Sequence, residues 1–222
     1  MMKKTYTICL ILLFMMRMSA QQEGITFGIS AGTNWSSLKG RDLDSLSTNG
    51  ASKSLNGLTI GITLDNKISQ YFGLKHELFY SRKQTALQIA DSINGGFTSR
   101  LKRQYVDLFP VSPAFYYKGL QVYAGPYLGF LLNASVQRKD TDGNLYTDTA
   151  FYGTGKASHG YSQKMDAGFV TGLTYEFPNG FTLGARYLRG FVPLIENANT
   201  IRQWKIYNEN FFVTIGYRFN KG

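Results

Sequence analysis

The sequence predicts an all-β protein, namely an eight-stranded antiparallel up-and-down transmembrane β-barrel. Three observations predict it: eight segments alternate between apolar and other residues, the connections alternate between short and long, and the chain ends on a strand that stops at an aromatic residue. Successive side chains of a strand point to opposite faces, so each alternating segment has one apolar face. In an outer-membrane barrel that apolar face contacts lipid.

The eight predicted strands share an apolar face and a face of small, hydroxylated or charged residues. They cover about 25–35, 56–65, 68–82, 100–116, 120–136, 162–177, 180–192 and 208–219. The last strand, for example, alternates Phe211, Val213 and Ile215 with Phe212 and Thr214. A soluble β-sandwich would show the same alternation, so periodicity alone does not separate the two folds.

The lengths of the connections favour the barrel. The short connections lie near 65–67, 118–119 and 178–180, and the long ones near 36–55, 83–99, 137–161 and 193–207. Strict alternation puts all short turns at one end, as in outer-membrane barrels, where periplasmic turns are short and extracellular loops are longer.

Aromatic residues cluster near the short turns and the C-terminus. They are Phe72, Tyr116, Tyr175, Phe177, Phe181, Tyr217 and Phe219. The β-propensity of Tyr and Phe explains their number but not their common height. We therefore predict an aromatic girdle at the periplasmic interface.

The N-terminus has the layout of a secretory signal peptide. Lys3 and Lys4 precede an apolar run over 8–16, and Ser19 and Ala20 are small residues. We expect residues 1–20 to be cleaved and residues 21–222 to form the barrel domain, with an N-terminal membrane anchor as the alternative. The single cysteine, Cys9, lies in this segment, so the mature chain would lack disulfide, thiolate-metal and cysteine-nucleophile chemistry.

The chain is basic, with a formal charge of +10, of which the leader carries Lys3, Lys4 and Arg17. Nucleic acid is one possible partner of such a charge, but an exported protein does not meet it routinely. We therefore expect outer-membrane lipid and lipopolysaccharide as partners, with envelope proteins as further candidates. Ten basic residues are expected at the loop-side strand ends: Lys39, Arg41, Lys53, Arg82, Lys83, Arg100, Lys102, Arg103, Arg138 and Lys139.

Several segments together resemble the PorT-like outer-membrane β-barrel family of Bacteroidota. They are "LKHELFYSRK" (74–83), "YVDLFPVSPAFYY" (105–117), "YAGPYLGFLLNAS" (123–135), "KMDAGFVTGLTYEF" (164–177), "FTLGARYLRGF" (181–191) and the terminal "IGYRF". The stretch "YVDLFPVSP" has an additional Pro-containing step compared with the family pattern. The resemblance implies an eight-stranded outer-membrane barrel, and the founding member of the family is associated with type IX secretion and gliding.

Seven charged residues fall on the mixed faces of the predicted strands: Lys75, Glu77, Asp107, Asp166, Glu176, Arg186 and Arg218. Side chains fill the interior of an eight-stranded barrel, and buried charges need partners. We therefore predict a structural charge network in the lumen, including a cross-strand ion pair between Asp166 and Arg186. A proton relay or a conducting pathway is the alternative.

No catalytic, cofactor or metal site is predicted. The two histidines, His76 and His159, show no metal-ligand spacing and no clear Ser-His-acid arrangement. The sequence thus favours a non-enzymatic envelope component, either an accessory barrel of a secretion or surface-assembly system or a loop-presenting interaction protein. A lipid A-modifying hydrolase is the third alternative.

Three Asp-Ser/Thr-apolar triplets lie in the predicted long loops, at Ser45, Ser92 and Thr149. Bacteroidota glycosylate exported proteins on this pattern, so the family resemblance implies O-glycans at these positions. Glycan attachment requires exposed backbone, which long loops provide.

Overall fold

The computed structural model describes residues 24–48, 50–89, 96–149, 163–195 and 204–219, and the strands dominate them. The strands are Ile25–Lys39 (β1), Ser52–Lys67 (β2), Phe72–Ile89 (β3), Phe97–Tyr117 (β4), Leu120–Lys139 (β5), Leu145–Asp148 (β6), Met165–Glu176 (β7), Phe181–Gly190 (β8) and Tyr207–Phe219 (β9). A 3₁₀ turn covers Leu43–Ser45 in the first loop. No helix within these ranges is long and apolar enough to span a membrane.

Eight of the strands form a closed ring with antiparallel pairing throughout. The order is β1, β2, β3, β4, β5, β7, β8 and β9, and β9 pairs with β1 from Phe27 opposite Phe219 to Lys39 opposite Tyr207. The short strand β6 pairs with the loop end of β5, where Val136 lies opposite Asp148. The predicted eight-stranded up-and-down barrel is confirmed.

Several strands continue beyond their predicted bounds at the loop end. β1 extends to Lys39, β3 to Ile89, and β4 begins at Phe97. The peptide groups of these residues still pair with neighbouring strands, and this pairing satisfies their hydrogen-bonding groups. Their side chains, however, no longer alternate cleanly between apolar and polar. The barrel wall therefore extends into segments that we predicted as loops.

The two faces of the strands divide as the alternation predicted. On β9, Phe211 and Ile215 point outward and are exposed, whereas Phe212 and Arg218 are buried inside the ring. On β2, Leu58, Ile60 and Ile62 face outward in the same way. The outer wall thus carries the continuous apolar band that lipid contact requires.

A β-bulge in β4 changes the direction of its side chains. Pro110 and Val111 both lie on the outer side, and the register of β4 against β3 shifts by one residue between the partners of Lys75 and Glu77. An extra residue on one strand reverses the inward and outward positions beyond it. The bulge coincides with the additional Pro-containing step of "YVDLFPVSP".

The bulge makes one of the predicted girdle positions wrong. Tyr116 points into the barrel and is 7% exposed, whereas its neighbours Phe115 and Tyr117 face outward. The other six predicted aromatics, Phe72, Tyr175, Phe177, Phe181, Tyr217 and Phe219, are all exposed on the outer wall. The girdle at the turn end is therefore present with Phe115 and Tyr117 in place of Tyr116.

Candidate functional site

The barrel interior contains the charged side chains that are candidates for function. Of the seven predicted residues, Lys75, Glu77, Asp107, Asp166, Arg186 and Arg218 are almost fully buried, and Glu176 is about one-fifth exposed at the turn end. All seven lie on inward-facing strand positions. They form contacts at three heights, which we describe from the turn end towards the loop end.

The turn-side cluster consists of Asp65, Lys75, Gln121, Glu176 and Arg218. The Arg218 guanidinium lies 2.7 Å from Asp65 Oδ2 and 2.5 Å from Glu176 Oε2. Lys75 Nζ lies 3.4 Å from Asp65 Oδ1 and donates to Gln121 Oε1 at 3.1 Å. The Gln121 amide donates to Asp65 Oδ1 at 2.6 Å. Asp65 therefore receives two cations and an amide, which together offset the cost of burying its charge.

Our prediction assigned Asp65 to a tight turn, and the structure places it inside the wall instead. β2 continues to Lys67, and the inward parity of Thr59 and Thr63 extends to Asp65. The Tyr116 hydroxyl, turned inward by the bulge, also donates to Asp65 Oδ1 at 3.2 Å. Strand parity alone could have identified Asp65, but not its partner Tyr116.

An aromatic layer fills the middle of the barrel and surrounds Arg186. It contains Phe79, Phe109, Tyr127 and Phe212, all buried. The Arg186 guanidinium lies 3.8 Å from the centre of the Phe79 ring, and its Nη1 lies 3.3 Å from Glu77 Oε2. Arg186 therefore combines an ion pair with a cation–π contact.

The predicted ion pair between Asp166 and Arg186 is wrong. The register places Gly172, not Asp166, opposite Arg186, so Asp166 lies nearer the loop end. There Asp166 Oδ2 accepts hydrogen bonds from the Tyr127 hydroxyl at 2.9 Å and from the Asn208 amide at 2.7 Å. Sequence distance from the turn at Pro178 did not give the register, because Asp166 and Arg186 lie at unequal distances from that turn.

The loop-side cluster consists of Lys83, Arg103, Asp107 and Asp166. Lys83 Nζ lies 2.8 Å from Asp107 Oδ1, with both side chains fully buried. Arg103 donates to the Asn208 side chain and also to the Thr85 hydroxyl at 3.3 Å. We predicted Lys83 and Arg103 at the exposed basic rim, which is wrong, because β3 and β4 continue past them with inward parity.

The charges that the strands project inward balance within the described residues. The acidic side chains are Asp65, Glu77, Asp107, Asp166 and Glu176, and the basic ones are Lys75, Lys83, Arg103, Arg186 and Arg218. Five carboxylates thus accompany five cations, so the interior has no formal net charge. This balance leaves no surplus of one sign that would favour the passage of anions or cations.

An apolar cap lies at the loop end of the interior. It consists of Leu38, Leu43, Leu87, Leu101, Leu194, Ile195 and Ile206. Strand ends supply Leu38, Leu87 and Leu101, while Leu43 comes from the 3₁₀ turn and Leu194, Ile195 and Ile206 come from the fourth loop. At the turn end, by contrast, a pocket of about 380 Å³ reaches Gln121 and Arg218. Among the described residues, the interior is therefore accessible from the turn end.

The basic residues that remain outside the ring differ in their partners. On the wall formed by β1, β8 and β9, the Glu209 carboxylate lies 3.9 Å from Lys39 Nζ and 3.7 Å from Arg189 Nη1. Near β6, Arg138 Nε lies 2.5 Å from Asp148 Oδ2. These cations are locally neutralised, so the predicted rim is not uniformly basic.

The two histidines considered as catalytic residues form no catalytic arrangement within the described part of the chain. His76 is half-buried at the β4 bulge, and its Nδ1 contacts the carbonyl oxygen of Pro110. His159 lies outside the described residues. Within the described ranges, no group of three or more His, Cys, Asp and Glu side chains could hold a metal ion.

The three glycosylation candidates lie in different places. Ser45 ends the 3₁₀ turn of the first loop, and Thr149 is exposed just after β6. Ser92 lies outside the described residues.

Three proteins of known structure are similar to this chain. Neisserial surface protein A is 15% identical with a TM-score of 0.48, and the match covers 89% of this chain and 100% of that chain. OprG from Pseudomonas aeruginosa is 14% identical with a TM-score of 0.45, covering 90% and 98%. Ail of Yersinia pestis, in complex with the heparin analogue sucrose octasulfate, is 14% identical with a TM-score of 0.44, covering 89% and 100%.

No curated protein sequence matches the chain. A family model, the outer membrane protein beta-barrel domain, matches residues 19–196. This range includes most of the chain and seven of the eight strands of the ring, β1 to β5, β7 and β8. The chain is therefore an integral outer-membrane protein, and it belongs to the outer membrane protein beta-barrel domain family.

Proposed function

We propose that this barrel is a non-enzymatic, non-conducting component of the cell envelope that acts through its outer surface and loops. The observation that carries the proposal is the filled interior, in which balanced ion pairs lie on both sides of an aromatic layer. Breaking a buried ion pair is costly, so such pairs fix the packing of the interior. The seven predicted lumen charges thus have a structural role rather than a relay or transport role.

The resemblance to the PorT-like family of Bacteroidota supports an accessory role in secretion or surface assembly. A loop-presenting adhesion protein is the second candidate, supported by the long extensions of β3, β4 and β5 at the loop end. Lipopolysaccharide is the proposed lipid partner, because basic side chains such as Arg82 and Lys102 are exposed on the outer wall at the loop end of the barrel. A leader over residues 1–20 would deliver the chain to the envelope.

Conductance measurements test the closed interior. The purified protein, reconstituted in planar bilayers of phosphatidylcholine, should give no discrete conductance steps, because the aromatic layer and the apolar cap interrupt a water-filled path. A large porin measured in the same bilayers is the positive control. Regular steps from the wild-type barrel would contradict the proposal.

Deletion of the gene in the native host separates the functional candidates. An accessory barrel should co-purify with envelope machinery, and its loss should block the export of other proteins. An adhesion protein should leave export intact and lose only ligand binding. A changed lipid A composition in a strain carrying His76→Ala and His159→Ala would instead support the hydrolase and overturn the non-enzymatic assignment.

The intact mass of the protein from native membranes tests the proposed processing and glycosylation. We expect a mass above that of unmodified residues 21–222, since glycans on Ser45, Ser92 and Thr149 would add to it. The triple variant S45A/S92A/T149A should have the mass of the cleaved chain alone. A wild-type mass equal to that of the unmodified chain would contradict the glycan proposal.

A further inference from the structure

A group of basic side chains lies on the outer wall at the loop end of β3, β4 and β5. Arg82 lies opposite Gln104, and Gln104 lies opposite Asn133. One step closer to the loops, Lys102 lies between Gln84 and Ser135. Cross-strand neighbours project from the same face and lie about 5 Å apart. These residues therefore form two adjacent polar rows on the outside of the barrel.

The two polar rows begin directly on the loop side of the apolar band. The next row towards the turns contains Tyr80, Val106 and Phe130, which are cross-strand neighbours on the same outer face. The outer wall thus changes from apolar to polar between consecutive outward residues of β3 and β4, and on β5 it changes after the exposed Leu132. In a barrel with its loops outside the cell, this change marks the height at which outer-leaflet headgroups begin.

A cleft of about 170 Å³ lies at this boundary. Its lining consists of Arg82, Lys102, Gln104, Asn133 and Ser135. Two cations, two amides and one hydroxyl can all donate hydrogen bonds, and phosphate oxygens are strong acceptors. The cleft is several times larger than a site for one water molecule, which leaves room for one phosphate group.

The cations of the cleft lack protein counter-charges. Neither the Arg82 nor the Lys102 side chain forms an ion pair or hydrogen bond within the described part of the chain. The outward positions in both rows carry no carboxylate, and the exposed Arg100 and Lys53 flank Ala86 in the row beyond. On the opposite wall, by contrast, Glu209 neutralises its basic neighbours. The positive charge is therefore concentrated on one side of the barrel.

We infer that this cleft binds a phosphate group on the lipid A part of lipopolysaccharide. The inference rests on the lipopolysaccharide contact proposed above and assigns it to one site. A phosphate in the cleft would place covalently attached acyl chains against the row of Tyr80, Val106 and Phe130. One molecule then contacts both the cationic cleft and the apolar wall below it, which free phosphate does not do.

Lipid binding to paired variants tests the inference. The protein, purified in a neutral detergent, is titrated with bisphosphorylated lipid A, and bound lipid is counted by native mass spectrometry. The variant R82Q/K102Q should bind lipid A at least about tenfold more weakly, since each basic residue near an anionic lipid surface contributes substantially to binding. The control K39Q/R189Q removes the same charge from the opposite wall and should change binding by less than about twofold.

The remaining outcomes distinguish a wrong binding site from a wrong ligand. Wild-type protein should prefer phosphorylated over phosphate-free lipid A, and no preference would refute the lipopolysaccharide phosphate contact itself. Equal lipid A binding by R82Q/K102Q and wild type would refute this cleft but leave that contact standing. Displacement of lipid A by an equal concentration of inorganic phosphate would make this a free-phosphate site and overturn the lipid assignment. Heat-modifiable migration verifies folding, and the single variant K102Q replaces the double variant if that one does not fold.

Discussion

Replacing Lys83 with methionine should lower the free energy of unfolding by about 3–5 kcal/mol, the usual cost of leaving one member of a buried ion pair without its partner. Lys83 Nζ lies 2.8 Å from Asp107 Oδ1 and 4.4 Å from the centre of the Tyr105 ring. Asp107 Oδ2 already lacks a hydrogen-bond partner, so the variant would leave its carboxylate with little compensation. Urea unfolding in lipid vesicles, followed by the fluorescence of the two tryptophans, measures the loss.

Two controls show whether the effect comes from the ion pair. The neighbouring Arg82 points outward and has no ion pair within the described chain, so R82M should change stability by less than about 0.5 kcal/mol. The double variant K83M/D107L removes both charges and should be more stable than K83M alone. A double variant that is less stable than K83M would show that the pair is not the cause.

Replacing Phe79 with alanine should lower the free energy of unfolding by about 3–5 kcal/mol, which is typical of Phe→Ala in a packed interior. Phe79 is 1% exposed, its ring packs edge-on against Phe109 with centroids 6.2 Å apart, and Arg186 lies over its face. The variant would leave a cavity in the aromatic layer and remove a cation–π partner from a buried guanidinium. The same urea titration measures the change.

Phe72 provides the matched control on the same strand. It is also a phenylalanine of β3, but it faces outward at the turn end and is 44% exposed. F72A therefore leaves no internal cavity and should cost clearly less than F79A. Equal losses in the two variants would mean that the aromatic layer contributes no more to stability than the lipid-facing girdle does.

The fold was predictable from sequence because lipid and lumen impose opposite demands on successive residues. The alternation of β2, β7 and β9 gave the faces correctly, since an apolar residue on each outer position is required for membrane insertion. The parity of short and long connections then fixed the up-and-down order. Both signals are local, so neither required knowledge of the strand pairing.

The errors arose where local alternation no longer reports the pairing. Lys83 lies one residue beyond the predicted end of β3, and Arg103 lies near the loop end of the predicted fourth strand. The outward neighbours Arg82, Gln84, Lys102 and Gln104 are polar as well, so no apolar stripe distinguished the inner face from the outer one there. The inward turn of Tyr116 depends on a bulge, which a two-residue period cannot locate. The partner of Asp166 depends on the register between strands, which turn positions alone did not determine. The basic cleft also required the register of three strands.

The seam between β1 and β9 has a consequence for the order of assembly. Every other neighbouring pair in the ring joins strands that are consecutive along the chain, with only the short β6 between β5 and β7. The pair of β1 and β9 instead brings together the two ends of the described chain. Contacts of such long sequence separation carry the largest loop-closure entropy and delay folding. Until they form, β1 and β9 are open edges able to pair with other chains. The time spent with this seam open sets the window in which aggregation competes with membrane insertion.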